Sequence, residues 1–417
     1  MNGYVIKTEL YKIFSKKYLY AVAAFFVVFL SLITAQDLDS IGTRYSLARF
    51  HDVVIQAAKA DDFVPKAKAL EEKVNSGGKG IAAFSEDMKE LLPESIVSYT
   101  EQYRGETRHG VSVADILNET MIDEIRYYRE RLDDRRAETE RLQNELASLE
   151  SKGETGSFAY QMAEREYQLY VTAPQIEPDL SRWDEFVDLN HTYLSLDIAF
   201  LVILGLCGIY SDEYANRTQS EMLTSRDGRA GVFGGKLIAG FIYTAVVTAF
   251  FQLVGFGVYR FVYGPPGEDL PLASLPGFYM SPYPLSTLEF YRLQILGSFL
   301  GAFALAAIVM CLSALAKNAL FPFFLSGAVF AGGLLFRKMV RGMNALGAGE
   351  STLLTFPAEL SIFMTMSLRE LVARFRVTNL FGNPVSTVWV SFGATVLVMA
   401  VALLLCFRFY TKKQVKN

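Results

Sequence analysis

The residues best placed to do chemistry lie in a charged stretch between two apolar runs. Ser211–Lys236 reads SDEYANRTQSEMLTSRDGRAGVFGGK. It opens near Glu213, carries Tyr214, Met222 and Leu223 as apolar members, turns at Asp227-Gly228 and leaves through Gly234-Gly235-Lys236. A short helix of mixed character at a membrane surface suits transduction: its apolar members fill a groove on a soluble partner, and its charges set the register. A second set, Asp197, Arg260 and Arg292, lies in or near apolar runs with Gln252 and Glu289. Ionisable groups there face a cavity or pair with one another. Asp197 with Arg260 or Arg292 is therefore a candidate outer gate, with interfacial snorkelling as the plainer role for the arginines.

No catalytic constellation accompanies these residues. A phosphate-binding loop needs Gly-x-x-x-x-Gly-Lys-[Ser/Thr]. The nearest approach has Ala230 in place of the first glycine and Leu237 in place of the hydroxyl residue, and it enters an apolar run rather than following a strand. Gly77-Gly78-Lys79-Gly80 also fails. There is no Gly-x-Ser-x-Gly elbow and no His-Glu-x-x-His pair. His51, His109 and His191 are far apart in sequence, which argues against a metal site. Cys207, Cys311 and Cys406 all lie in apolar runs, so neither a disulfide framework nor a cysteine zinc site is expected.

The elements that must position these residues are six apolar runs, at 18–35, 194–210, 237–262, 293–315, 319–336 and 385–407. Each is long enough for a helix to cross a hydrocarbon core about 30 Å thick. The expected fold class is an all-α polytopic membrane protein with six transmembrane helices. The first run reads as a retained anchor, because its end, Ile33-Thr34-Ala35-Gln36, only loosely suggests a cleavage site. Basic residues precede it at Lys7, Lys12, Lys16 and Lys17. They recur at Arg217, Arg226, Arg229 and Lys236, at Lys317, and in the 408–417 tail. Six crossings put all of these on one side, so both termini are expected in the cytoplasm. The segment 337–384 fits less well. It should lie outside or re-enter the membrane, yet it carries Arg337, Lys338, Arg341, Arg369, Arg374 and Arg376.

The net charge of −4 hides an asymmetry. Residues 36–192 hold 19 Lys+Arg and 32 Asp+Glu, a balance of −13 against +9 over the rest. Such an acidic block argues against a nucleic-acid partner. Within it, Met121, Ile125, Tyr128, Leu132, Arg135, Thr139, Leu142, Leu146 and Leu149 alternate in steps of three and four. That is a heptad seam, interrupted at Arg135 and Thr139. The Ser151–Ser157 turn and a second periodic stretch at Phe158, Met162 and Leu169 complete an expected helical, coiled-coil hairpin, joined by a helical stretch near 44–74. This extracellular ectodomain is either a packed spacer or a surface for a cationic ligand. A Pro-rich loop, 264–289, is expected on the same side. At the N-terminus, Val5, Ile6, Leu10 and Ile13 share one helical face, so 1–17 should form an amphipathic interfacial helix.

After the second run, Glu213, Thr218, Leu223, Ser225, Arg229 and Lys236 follow one another in order. In this pattern and in its six-run layout the chain resembles the membrane subunit of ATP-binding-cassette exporters of the type-two permease group. The resemblance covers the membrane part and not the ectodomain. The glycine usual before the threonine is Arg217 here, and the usual proline near the arginine is absent. The resemblance implies an N-terminal elbow helix and a coupling segment at 211–236, with Glu213, Arg217, Thr218, Leu223, Arg226, Arg229 and Lys236 as coupling residues. It implies a cytoplasmic ATPase as partner, which holds ATP and Mg, and a second permease copy. It also implies a bacterial plasma-membrane setting and a hydrophobic or amphipathic substrate such as a peptide antibiotic or a lipid. The rival reading is a membrane-anchored sensor or scaffold whose ectodomain binds a ligand without transport.

Overall fold

A computed structural model of the chain describes residues 3–36, 100–103, 105–108, 111–179, 183–215, 228–263, 267–345 and 352–412. The helical stretch expected near 44–74, the Gly77–Gly80 motif, His51 and His109 lie outside the described residues. Six helices are long and apolar enough to cross a membrane: Lys17–Ala35, Trp183–Glu213, Gly231–Val262, Thr287–Leu315, Leu320–Val340 and Thr387–Tyr410. The protein is an all-α multi-pass membrane protein, as expected. Lipid offers backbone groups no hydrogen bonds, so an apolar run of this length satisfies them as a helix.

The chain divides into two compact units. The first, the bundle, contains residues 1–34, 185–261 and 289–417. Helix α1 (Gly3–Phe14) is set off from α2 (Lys17–Gln36), which is the first span. The second span is longer than the apolar run suggests. It begins as α5 (Trp183–Leu189), passes through a π turn at Asn190–Leu194, continues as α6 (Ser195–Leu206), and closes with the short α7 (Ser211–Ala215). Span three is α8 (Gly228–Tyr263), span four α9 (Thr287–Leu315), span five α10 (Leu320–Ala345) and span six α14 (Thr387–Lys412).

Spans two and four form the centre, 72% and 61% buried, whereas spans one, five and six are buried to only 17%, 22% and 22%. The outer three therefore present apolar side chains such as Phe25, Leu32, Phe324, Trp389 and Leu404 to lipid or to another chain. Span four is lined with small residues at its buried face, including Ala302, Ala304, Ala306 and Ala307.

The segment that strained the charge pattern is explained by pairing. Helix α10 runs on through Arg337 and Lys338 to Ala345, and the chain then breaks into α11 (Thr352–Glu359), α12 (Ile362–Ser367) and α13 (Arg369–Val372). A β3–β4 hairpin (Val377–Leu380, Asn383–Ser386) leads into span six. Arg337 pairs with Glu370, Arg369 with Asp188, and Arg376 with Glu359. Three of the six basic residues in 337–384 thus sit opposite carboxylates of the same unit. Helix α12 is buried from Phe363 to Ser367, and Thr365 shares hydroxyl hydrogen bonds of 2.9 Å and 2.7 Å with Ser391 and Thr395 of span six.

The second unit is made of the two connections 35–184 and 262–288. Its main feature is a hairpin of α3 (Val113–Ser151) and α4 (Phe158–Thr172), preceded by a short β1–β2 pair (Thr107–Arg108, Val111–Ser112). Ser157 caps α4 by accepting from the Tyr160 amide at 3.1 Å. Leu142, Ala163 and Tyr170 form the buried contact between the helices, with Leu146 and Tyr167 packed beside them. Arg135, which interrupts the apolar seam, has a structural role of its own. Its Nη1 donates to the carbonyls of Tyr279 and Ser281 at 2.7 Å and 2.8 Å, and its guanidinium lies 4.9 Å from the Tyr170 ring centre. The Tyr170 hydroxyl donates to Met280 O at 2.7 Å. The hairpin therefore holds the 267–288 loop by its backbone.

On the hairpin, burial and the neighbouring Glu138 and Glu145 outweigh Arg141 and push Glu166 up to about 7. A carboxyl raised in the folded state binds more protons than in the unfolded chain, so its contribution to stability is lost as pH rises from the ordinary carboxylate range through about 7. Glu166→Gln should abolish that dependence and raise the neutral-pH melting temperature of the outer unit; circular dichroism melts across the pH series measure it.

Candidate functional site

At the end of the bundle that carries the N-terminus, three charged side chains from three separate segments meet in the interior. Lys236, near the start of span three, is 1% exposed. Its Nζ donates to Glu9 Oε2 at 2.8 Å and to the Ile209 carbonyl at 2.9 Å. It also lies 2.5 Å from Glu213 Oε1, a charge contact without hydrogen-bond alignment. Glu9 and Glu213 are themselves 3% and 7% exposed. Lys12 closes the balance from the surface, its Nζ 2.6 Å from Glu9 Oε1. Two carboxylates and two ammonium groups thus neutralise one another, a condition for keeping charge out of water.

Each partner is placed by local structure. Helix α1 turns Val5, Glu9 and Ile13 inward, and Val5 fits the space left at Gly235, where a Cβ would lie 2.5 Å from Val5 Cγ1. The expected apolar face is present, with an acid at its centre. Glu213 is fixed by the turn before α7. The backbone amides of Tyr210 and Ser211 donate to Ser313 Oγ of span four at 3.1 Å and 3.2 Å, and the Ser211 hydroxyl donates back to Cys207 O at 3.1 Å. Gly208 leaves room for Asp212, which faces Lys16 at 3.8 Å. Tyr210 lies 5.7 Å below the Lys236 ammonium and packs on Phe233 and Tyr410, covering the cluster with aromatic rings.

Of the residues singled out from the sequence, Glu213 and Lys236 meet in this cluster. Arg229 falls in the first turn of α8. Arg217, Thr218, Leu223, Ser225 and Arg226 lie outside the described residues. Of the expected outer gate, Asp197 is buried with Oδ2 unpartnered among the described residues, and Arg292 is exposed. Glu9 was not anticipated, although one signal marked it. It is the only acid in the first 36 residues, and it lies one turn from both Val5 and Ile13 on the apolar face.

A second polar arrangement lies deeper in the bundle, beside the π turn. Asn190 Nδ2 donates to Gln252 Oε1 at 3.1 Å, and Gln252 Nε2 donates to Ser298 Oγ at 3.0 Å. The Ser298 hydroxyl and Gln294 both donate to the Met366 carbonyl. The side chains of spans two, three and four therefore converge on the buried α12. Gly297 and Gly301 make this approach possible: a Cβ would lie 2.3 Å from Thr365 O at the first and 2.3 Å from Met366 Cγ at the second. The two glycines thus permit close packing of span four on α12.

No protein-family model, curated protein or solved structure matches this chain.

Removing one partner of a buried ion cluster leaves uncompensated charge and costs about 3–5 kcal/mol. Lys236→Met should therefore destabilise the bundle more than Glu9→Gln or Glu213→Gln, and the Glu9→Gln/Lys236→Met cycle should be strongly non-additive in detergent melts. Gly297→Ala should cost about 1–3 kcal/mol by overpacking against a backbone carbonyl, read in the same assay.

Proposed function

We propose that this chain is the permease subunit of a bacterial ATP-driven exporter, embedded in the plasma membrane with both termini in the cytoplasm. The observation that carries this reading is the buried Glu9–Lys236–Glu213 cluster. It fastens the N-terminal helix, the end of span two and the start of span three to one point. That point flanks the 216–227 segment at both of its ends. A partner gripping 211–236 would thereby move the N-terminal helix and spans two and three together, rather than bending a loose loop.

The ATPase is a separate cytoplasmic chain that holds ATP and Mg. This chain carries no phosphate-binding loop and serves no catalytic step. Two permease copies, or one with a related partner, enclose the path, with the apolar surfaces of spans one, five and six meeting lipid or the second copy. ATP favours one arrangement of the ATPase pair and, through 211–236, one arrangement of the spans. The cargo is hydrophobic or amphipathic, a peptide antibiotic or a lipid. The second unit is an extracellular, coiled-coil-like hairpin.

A second reading rests on the outer unit itself. An open groove of about 300 Å³, lined by Leu132, Arg136, Thr139, Tyr170, Pro174 and Ile176, favours a sensor or scaffold that captures an extracellular ligand without moving a solute. Transport in sealed vesicles separates the two.

The chain should co-purify with an ATPase when expressed with its operon neighbours; failure to do so in any detergent or lipid tested removes the exporter reading. Glu213→Ala and Arg229→Ala should leave nucleotide hydrolysis by the complex intact and abolish its coupling to transport, and undiminished transport counts against their role.

A further inference from the structure

Span two carries a carboxyl that the preceding account does not use. Asp197 is 6% exposed, and its Oδ2 meets no hydrogen-bond partner among the described residues. Its neighbours fix which way it lies. Leu194, three residues earlier, fills the space at Gly255 of span three, where a Cβ would come within 2.6 Å of its Cδ1. The backbone carbonyl of Leu201, four residues later, accepts the Tyr243 hydroxyl of span three at 2.7 Å. Tyr193 and Phe200, four before and three after, meet Phe29 and Phe26 of span one, so Asp197 lies between the stripes of span two that meet spans one and three. On span three the stretch from Tyr243 to Gly255 includes Thr248, which is fully buried and whose Oγ1 is likewise without a partner. Thr248 lies one turn from Gln252, so the Asn190–Gln252–Ser298 network continues this seam.

Among the described residues, several charges on the neighbouring elements pair elsewhere, and others are distant or exposed. On span three, Lys236 is taken up by Glu9 and Glu213, and Arg260 lies about 18 Å along the helix from Thr248. On span five and the α12–α13 segment, Arg337 pairs with Glu370 and Arg369 with Asp188. His191, on the same helix as Asp197, faces Phe363. On span four, Glu289 and Arg292 lie in its first turns, and Arg292 is exposed. Among the described residues, Asp197 takes part in no ion pair, and its Oδ2 stays without a hydrogen-bond partner. An isolated carboxylate in such surroundings costs several kcal/mol, whereas the neutral acid does not carry that penalty.

We propose that Asp197 is a proton-binding site in the packed seam that span two makes with spans one and three. The packed seam holds the carboxylic acid. When the seam parts and water reaches the side chain, the proton passes to water and the carboxylate is solvated. Opening therefore releases one proton per chain, and lower pH favours the packed seam. This holds whether or not an ATPase drives the opening.

Infrared spectra of the full chain in lipid vesicles test it directly. At neutral pH the wild type should show the carbonyl band of a protonated carboxyl that is missing from Asp197→Asn and that disappears as pH is raised. Coincident spectra in that region throughout the series would mean an ionised Asp197 and overturn the proposal. Should the variant fail to accumulate, carbodiimide labelling of the wild-type Asp197 peptide decides. Dicyclohexylcarbodiimide, an apolar reagent that adds to protonated carboxyls, should label the Asp197 peptide, with labelling lost at high pH. Absence of label at Asp197 at every pH refutes the assignment.

Discussion

The bundle is organised around one ammonium group kept out of water. Lys236 has three donors, and α1, the turn at Ile209 and the start of α7 each supply an oxygen to it. None of these segments would have reason to be where it is without the others. Glu9 on a helix lying free would be solvated, Glu213 would end a span as an ordinary interfacial acid, and Lys236 would extend its stem toward the surface. Burial makes the arrangement all-or-none, because a single missing partner leaves a charge that the interior cannot accommodate. A cluster of this kind adds little net stability compared with apolar packing. What it supplies is a defined relation among three pieces of chain that apolar side chains alone would let slide.

The same reliance on backbone acceptors recurs elsewhere. Met366 O receives Gln294 and Ser298, and Tyr279 O, Met280 O and Ser281 O receive Tyr170 and Arg135. In each case an irregular segment has carbonyls that its own fold leaves unused, and a regular helix supplies the donor. Buried irregular backbone requires such partners. Polar residues that interrupt an apolar pattern, such as Arg135 in its seam or Gln252 in its span, supply them.

The six spans and the N-terminal helix were legible from apolar run length and periodicity, because lipid imposes a strong and local rule on sequence. The helical hairpin was legible from the 3–4 spacing of Ile125, Tyr128 and Leu142, because two solvated helices must bury one apolar stripe between them. Glu213 and Lys236 were legible as members of one pattern but not as a pair, and Glu9 was marked only by its isolation among lysines. Contacts across more than 200 residues leave no periodic trace. The surroundings of Asp197 were not legible, because pairing depends on which stripe of each helix faces the other and not on depth along the spans. The arginines of 337–384 misled in a similar way: their partners, Asp188, Glu359 and Glu370, are distributed along the chain, so the local charge count could not reveal that they are neutralised.

The π turn at Asn190–Leu194 has a mechanical meaning. It accommodates one residue more than an α-helical turn, within a span whose two halves are otherwise regular. Such a surplus can travel along a helix, because each step exchanges one wide backbone bond for one of normal length and leaves the count of bonds unchanged. Everything between the old and new positions rotates by about 100° about the axis. Span two thus contains a means of turning Asn190 and its neighbours away from Gln252 without lengthening, tilting or breaking: a screw motion already wound into its middle.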